Sequence, residues 1–256
     1  MTASHDSRTF FLDGPVGRLE AILWTPAETA QPPRFAAVVC HPHPLFGGTL
    51  HNKVVYQTTK SLDALGIPVL RFNFRGTSLS EGAHDRGRGE VDDVRAALDF
   101  MAKEFPAAPE GPNSHERPKP RDGSNPREGS NPREGSNPRE GSNPRLLLAG
   151  FSFGSWVGLR AGCADARVAR LIGLGIPVNS SDFSFLANCP KPKLFVHGEN
   201  DEHGAIARVR EVVASLSGDK TLVVVPNADH FFTGKLDQLD RAITDWLTPV
   251  IEADPR

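Results

Sequence analysis

The sequence has little cysteine, almost no excess charge and no long apolar run. Its longest apolar runs are a few residues, far short of the roughly twenty that span a bilayer, and its polar start lacks the apolar core of a secretion signal. A formal net charge of −2 gives no indication of a nucleic-acid partner. Three cysteines, Cys40, Cys163 and Cys189, form an odd number without regular spacing, which favours a reducing compartment over a disulfide framework. We therefore expect a cytoplasmic protein with no membrane or nucleic-acid partner; its oligomeric state stays open.

What the sequence does contain is a repeated alternation of strand and helix patterns. At 256 residues with 38% hydrophobic content, the chain has enough material for one large core, so we expect a single α/β domain over 1–256. An opening hairpin is predicted around Thr9–Leu12 and Leu19–Trp24. The alternation that follows predicts a mostly parallel sheet covered by helices on both faces. The predicted strands lie near 36–40, 68–74, 145–150, 168–174, 193–197 and 221–225, and the predicted helices near 52–64, 90–104, 154–164, 205–216 and 234–247.

One segment, at about 107–144, does not follow that alternation. It ends in four tandem hexapeptides over 121–144, one reading Arg-Asp-Gly-Ser-Asn-Pro and three reading Arg-Glu-Gly-Ser-Asn-Pro. Such a composition buries too little apolar surface to offset the entropy of ordering, so we expect a disordered loop. Because it leads from a helix into a strand, it enters the sheet at the edge opposite to that where open parallel sheets carry their sites. We expect it to be neither a lid nor part of a pocket; binding of a partner by its spaced Arg and Glu remains a second interpretation.

The most specific motif is Gly150-Phe151-Ser152-Phe153-Gly154, which lies between an apolar run and a helix-compatible segment. A strand that turns sharply into a helix exposes the central serine, and the residues two before and two after it must be small. The turn also places the serine at a helix N-terminus, where negative charge is favoured. The pattern is typical of a nucleophile elbow, although a purely structural turn would look the same.

A serine nucleophile needs a histidine base and a carboxylate that orients the histidine. Both follow later strands of this chain: Asp201 comes after 193–198, and His230 comes after 222–226. Their order and their strand-end placement match what the elbow requires. We predict that Ser152, Asp201 and His230 are catalytic, with Glu199 as a weaker candidate for the acid.

Together these segments resemble the α/β-hydrolases, and more narrowly the small bacterial serine hydrolases that lack a lid. The resemblance also rests on His41-Pro42-His43-Pro44-Leu45-Phe46-Gly47-Gly48 with Asn52-Lys53-Val54-Val55, on Arg71-Phe72-Asn73-Phe74-Arg75-Gly76, and on His197-Gly198-Glu199-Asn200-Asp201. It spans nearly the whole chain and implies an α/β-hydrolase fold. It says almost nothing about the substrate.

Acyl transfer requires N–H donors for the oxygen that becomes negative in the tetrahedral intermediate. The N–H of Phe153 follows the nucleophile and is the first expected donor. The second is expected from the His41–Gly48 loop, where Pro42 and Pro44 have no N–H, so that His43 and Leu45 remain. His43 is preferred, because it matches the donor position of the related H-G-x pattern. A zinc site at His41 and His43 is a minor alternative, since acidic or cysteine ligands at metal-ligand spacing are missing nearby.

The loop in which these hydrolases usually carry a lid is short here, with only 176–190 between two predicted strands. We therefore expect an open site without a substantial lid, lined by Phe46, Phe183 and Phe231, each of which could equally belong to the core. The predicted function is a serine hydrolase that cleaves small carboxylic esters through an acyl-enzyme, with no cofactor and no metal. A thioesterase or peptidase with the same residues, or a non-catalytic binding protein on the same fold, stays open.

Overall fold

The structure is a computed structural model that describes residues 5–27, 33–106 and 145–253. The predicted loop at about 107–144, with its tandem hexapeptides, lies outside the described residues. Its disorder and the single-domain boundary at 1–256 therefore stay predictions.

The chain opens with the predicted hairpin, in longer strands than the alternating residues indicated. Strand β1 (His5–Gly14) pairs antiparallel with β2 (Gly17–Pro26), and the register closes at Gly14 opposite Gly17. Gly17 adopts a φ of 131°, which L side chains rarely reach. The ladder extends past the alternating segment because backbone hydrogen bonds continue wherever two strands stay paired.

Strands and helices alternate through the rest of the described chain, as predicted. The remaining strands are β3 (Phe35–Cys40), β4 (Val69–Phe72), β5 (Arg145–Phe151), β6 (Val168–Leu174), β7 (Lys193–Gly198) and β8 (Lys220–Val225). The helices are α1 (Lys53–Ala64), α2 (Gly89–Glu104), α3 (Phe153–Ala164), α4 (Ile206–Ser215) and α5 (Leu236–Glu252), with short 3-10 helices at Pro44–Phe46 and Ser184–Leu186. The last helix is longer than predicted, because α5 continues through Pro249 instead of ending before it.

The eight described strands form one sheet in the order β1-β2-β4-β3-β5-β6-β7-β8. Only the β1/β2 and β2/β4 pairs are antiparallel, so the prediction of a mostly parallel sheet is confirmed. In β3, Ala36 and Val38 face the core beneath α2, α3 and α4, whereas Ala37 and Val39 face the core beneath α1 and α5. This period of two fits a strand buried on both faces.

The parallel strands present their carboxyl ends at one edge of the sheet. The residues that follow β3, β5, β7 and β8 therefore meet there, as the sequence predicted for Ser152, Asp201 and His230. The loop between β6 and β7 carries only the short 3-10 helix Ser184–Leu186, so that no lid arises from it. Among the helices of the described residues, none combines the length and apolar character that crossing a bilayer requires.

Candidate active site

Ser152 lies at the sharp turn between β5 and α3. Its φ of 54° and ψ of −122° are strained for a residue with a side chain. A Cβ at Gly150 would lie 2.3 Å from the carbonyl oxygen of Gly154, and a Cβ at Gly154 would lie 2.4 Å from the carbonyl oxygens of Cys40 and His41. The two glycines are therefore required by the close approach of the backbone, and the turn holds the serine hydroxyl above the end of the sheet.

Ser152, His230 and Asp201 form a continuous chain of hydrogen bonds. Nε2 of His230 lies 3.0 Å from Oγ of Ser152, and Nδ1 lies 2.7 Å from Oδ2 of Asp201. The carboxylate holds the proton on Nδ1, which leaves Nε2 free to accept the serine proton. Glu199, the alternative acid, is directed elsewhere, since its carboxylate accepts the N–H of Asn227 at 2.9 Å.

The carboxylate of Asp201 is buried and held at both oxygens. Its Oδ1 accepts the N–H groups of His203 at 2.8 Å and of Gly204 at 3.3 Å, while Oδ2 faces His230. Burial by itself raises the pKa of Asp201, but the hydrogen bond from His230, the nearby charges and the N–H of His203 outweigh it, so the pKa lies below its usual value. The group is thus held as a carboxylate at neutral pH.

His197, at the end of β7, is a neighbour of this carboxylate for which the sequence predicted no role. Its Nε2 lies 2.6 Å from the carbonyl oxygen of Gly204 and 3.5 Å from Oδ2 of Asp201. Burial is the main cause of a lowered pKa at His197, so the ring is neutral and donates from Nε2. The ring ties the loop after β7 to the strand end and fixes the position of the acid. The sequence marks it only as a histidine followed by glycine at a strand end.

His41 anchors the loop after β3 through both ring nitrogens. Nε2 accepts the N–H of Phe74 at 3.0 Å, so Nδ1 carries the proton and donates to the carbonyl oxygen of Pro42 at 2.6 Å. Burial lowers the pKa of His41 to about 3, partly offset by the bond to Pro42. Since both nitrogens are engaged, His41 has none left for a metal. No cluster of three or more potential metal ligands occurs among the described residues.

The two candidate donors in the His41–Gly48 loop differ in what their N–H groups contact. The N–H of Leu45 donates to Nδ1 of His43 at 3.2 Å, and Leu45 does not line the cavity above Ser152. The expectation that Leu45 could serve as the second oxyanion donor is therefore wrong, because its N–H is turned to the neighbouring ring. Within the described part of the chain, the N–H groups of Phe153 and His43 meet no acceptor, and both residues line the cavity.

The cavity above Ser152 has a volume of about 250 Å³. Phe46, which is 86% exposed, and Phe231 both line it, together with His203 and Asn52. The third predicted lining residue, Phe183, does not reach it: the side chain is 3% exposed and packs into the core beneath α3 and α4. Of the two interpretations left open for Phe183, the one in which it belongs to the core is therefore the one that fits the structure.

A buried ion pair braces the turn after β4. The guanidinium of Arg75 contacts the carboxylate of Asp93 in α2 through Nε at 3.0 and 3.1 Å and Nη2 at 2.7 Å, and Asp93 also accepts the N–H of Arg75. Next to it, Nδ1 of His84 lies 2.7 Å from the buried carboxylate of Glu90, and the His84 ring lies 4.9 Å from that of His43. The ion pair therefore holds the turn after β4 against α2. The partner of Arg75, Asp93, is fully buried in α2.

Three proteins illustrate the similarity of this chain to known ones, and no protein-family model matches it. The uncharacterized protein RP471 of Rickettsia prowazekii (strain Madrid E) is 33% identical, over 94% of this chain and 88% of that protein. XC6422 of Xanthomonas campestris, described as an α/β serine hydrolase without lid, is 32% identical with a TM-score of 0.76, over 98% of this chain and 97% of that one. An α/β serine hydrolase homologue of Coxiella burnetii is 32% identical with a TM-score of 0.74, over 94% and 97% of the two chains.

Proposed function

The chain belongs to the α/β serine hydrolases without a lid, and on this premise we propose that it cleaves small carboxylic esters through an acyl-enzyme on Ser152. The observation that carries the proposal is the pair of short contacts that join Asp201 to His230 at 2.7 Å and His230 to Ser152 at 3.0 Å. These three side chains follow three different strands and meet at an open cavity. Their arrangement suits nucleophilic catalysis.

In the first half of the proposed reaction, Nε2 of His230 takes the proton of Ser152 as Oγ attacks the ester carbonyl. The imidazolium that forms is stabilised by the ionised Asp201, whose lowered pKa keeps it a carboxylate. His230 then passes the proton to the departing alcohol, and the acyl group stays on Oγ. In the second half, His230 takes a proton from a water molecule that attacks the acyl carbon; the bond from this carbon to Oγ then breaks, His230 returns the proton to Oγ of Ser152, and the acid product leaves.

The negative oxygen of each tetrahedral intermediate is proposed to bind the N–H groups of Phe153 and His43. Phe153 begins α3, so the partial positive charge of the helix N-terminus supports the same oxygen. The proton on Nδ1 of His41 bonds to the carbonyl of Pro42, which holds the peptide bearing the His43 N–H. A Cβ at Gly48 would lie 2.1 Å from that same carbonyl oxygen, so this glycine lets the loop close.

The preference for small esters rests on the shape of the cavity. The space of about 250 Å³ above Ser152, lined by the exposed Phe46 and Phe231 among others, accommodates a short acyl chain. No lid covers this space in the described part of the chain, because the loop between β6 and β7 is short. We expect hydrolysis of dissolved short-chain esters to exceed that of long-chain triglyceride emulsions.

Labelling of the nucleophile tests the proposal. The purified protein is treated with a fluorophosphonate and digested, and the peptides are analysed by mass spectrometry, with Ser152→Ala and heat-denatured protein as controls. We expect one adduct on Ser152 in the folded protein and none in either control. A series of p-nitrophenyl esters of increasing chain length then measures kcat/KM. A folded protein without an adduct would contradict catalysis and favour a binding role, and a preference for thioesters or peptides would contradict the ester assignment.

A further inference from the structure

A second cavity of about 500 Å³ adjoins the one above Ser152. It lies between the loop after β6 and the outer face of α4. Ser180 and Ser181 line both cavities, so that the two spaces meet at this pair of serines. A substrate bound at Ser152 could therefore extend across them into the larger space.

The second cavity has an apolar base and a polar rim. Val178, Phe183 and Leu216 are buried at its base, whereas serine hydroxyls and the exposed Arg208 lie around it. The guanidinium of Arg208 forms no ion pair or hydrogen bond with any described residue. It is thus a cation with five N–H donors and no described partner, in the cavity that adjoins the one above the nucleophile.

The other charged group of this cavity, Asp182, is hydrogen-bonded within its own loop. Its Oδ2 accepts the hydroxyl of Ser184 at 2.7 Å, and its Oδ1 accepts the N–H of Ser184 at 2.8 Å. These bonds are the main cause of a pKa below the usual value, and Arg160 adds to the effect from nearby. Asp182 thus has hydrogen-bond donors within its own loop, whereas the guanidinium of Arg208 has no partner among the described residues and is the group left to bind a ligand.

We propose that the second cavity is a substrate subsite in which Arg208 binds a carboxylate carried by one half of the ester. This inference rests on the proposed function. A guanidinium binds a carboxylate through two parallel N–H bonds, which gives direction as well as attraction. The preferred substrates are then half-esters of dicarboxylic acids or esters of hydroxy acids, whose carboxylate lies several bonds from the cleaved group.

Matched substrates test the subsite on both halves of the ester. For the acyl half, p-nitrophenyl hexanoate is compared with mono-p-nitrophenyl adipate, which has the same chain length and ends in a carboxylate. For the alcohol half, pentyl hexanoate is compared with 5-(hexanoyloxy)pentanoic acid, which has the same alcohol chain length and ends in a carboxylate. In one of these pairs, we expect Arg208→Gln to lower kcat/KM for the charged ester about fivefold and to change kcat/KM for the neutral ester less than twofold. We expect Arg208→Glu to lower kcat/KM for the charged ester further.

Arg210→Gln is the matched control, because Arg210 is equally exposed on α4 and does not line the cavity. Equal effects of Arg208→Gln and Arg210→Gln, or no effect of either Arg208 variant on a charged ester, would overturn the subsite while the esterase function stands. If the protein hydrolyses none of these esters, the subsite is tested by binding alone. NMR titrations then measure the affinity of monoethyl adipate for Ser152→Ala and for Ser152→Ala/Arg208→Gln. There, weaker binding without Arg208 supports the subsite even if the esterase proposal fails, and unchanged binding overturns it.

Discussion

At the scale of single residues, the carboxylate of Asp201 shows how the site controls a proton. It accepts two backbone N–H groups at Oδ1, so that only Oδ2 remains for the ring of His230. This arrangement orients the acid and thereby selects one tautomer of the base. The neutral His197 donates from Nε2 to the carbonyl oxygen of Gly204 and so holds the same loop from the strand end.

We expect Asp201→Asn to lower kcat for a short ester by about 10⁴-fold, because an amide can donate to Nδ1 and stabilise the wrong tautomer of His230. The side chains are nearly the same size, so the melting temperature should change little compared with the loss of activity. Steady-state kinetics and thermal unfolding measured on the same preparation check this. A decrease of less than tenfold in a folded variant would contradict the assigned acid.

The buried His41 makes the stability depend on pH. Its pKa is lowered to about 3 by burial, whereas a histidine of the unfolded chain titrates near 6.5. Between these values the unfolded chain binds a proton that the folded one does not, so the free energy of unfolding falls as the pH decreases below about 6.5. His41 contributes a slope of about 1.4 kcal/mol per pH unit there, and the lowered pKa values of His43 and His197, both due chiefly to burial, act in the same direction.

Urea unfolding at several pH values between 8 and 5 measures this slope. The control His41→Gln keeps an acceptor for the N–H of Phe74 but cannot take up the proton. We expect the variant to be less stable than the wild type at pH 8 and to depend less steeply on pH. Parallel curves for the two proteins would show that His41 is not the source of the effect.

At the scale of elements, the turn from β5 into α3 depends on glycines that no other residue can replace. We expect Gly154→Ala to destabilise the fold by about 1–3 kcal/mol and to lower kcat/KM strongly, because its Cβ would press on the carbonyl oxygens of Cys40 and His41. Gly158→Ala is the control in the same helix, since its Cβ would lie 3.2 Å from the sulfur of Cys40 and alanine favours a helix. Circular dichroism and ester kinetics compare the two. Equal behaviour of both variants would contradict the role of the tight turn.

The order of strands and helices was predictable because each element carries a local signal. The six later strands contain apolar runs, and α2 and α5 carry an apolar face, so their positions agree with the structure to within a few residues. Their ends agree less well: β1 extends to His5 and α5 to Glu252, because pairing and packing continue past the residues that carry the pattern. The burial of Phe183 in the loop after β6 likewise depends on neighbours distant in sequence.

The site was predictable where chain order alone brings residues together. Strand ends of a parallel sheet meet at one edge, so the proximity of Ser152, Asp201 and His230 followed from their positions. The choice between His43 and Leu45 depended on the direction of one N–H in a three-residue turn, which no sequence pattern reports. The pairing of Arg75 with Asp93 joins two elements and is visible only in the folded chain.

At the scale of the whole molecule, the candidate site and the repeat segment connect to opposite ends of the parallel strands. Ser152 follows the carboxyl end of β5, whereas the segment 107–144 joins the chain at the other end of that strand, at Arg145. The seven residues of β5 separate these points by roughly 20 Å. We expect deletion of residues 110–143 to leave kcat/KM for short esters within about twofold of the full chain. A folded deletion variant without esterase activity would show that the segment belongs to the site.

This separation has a consequence for changes in the number of repeat units. Since β5 enters at one edge and delivers the nucleophile at the other, an in-frame gain or loss of whole repeat units upstream of Arg145 leaves the strand in register. If the deletion leaves turnover unchanged as expected, selection for turnover does not act on the number of repeats, and we expect close relatives to differ in it. The same position is the natural place to graft a reporter domain into a working hydrolase.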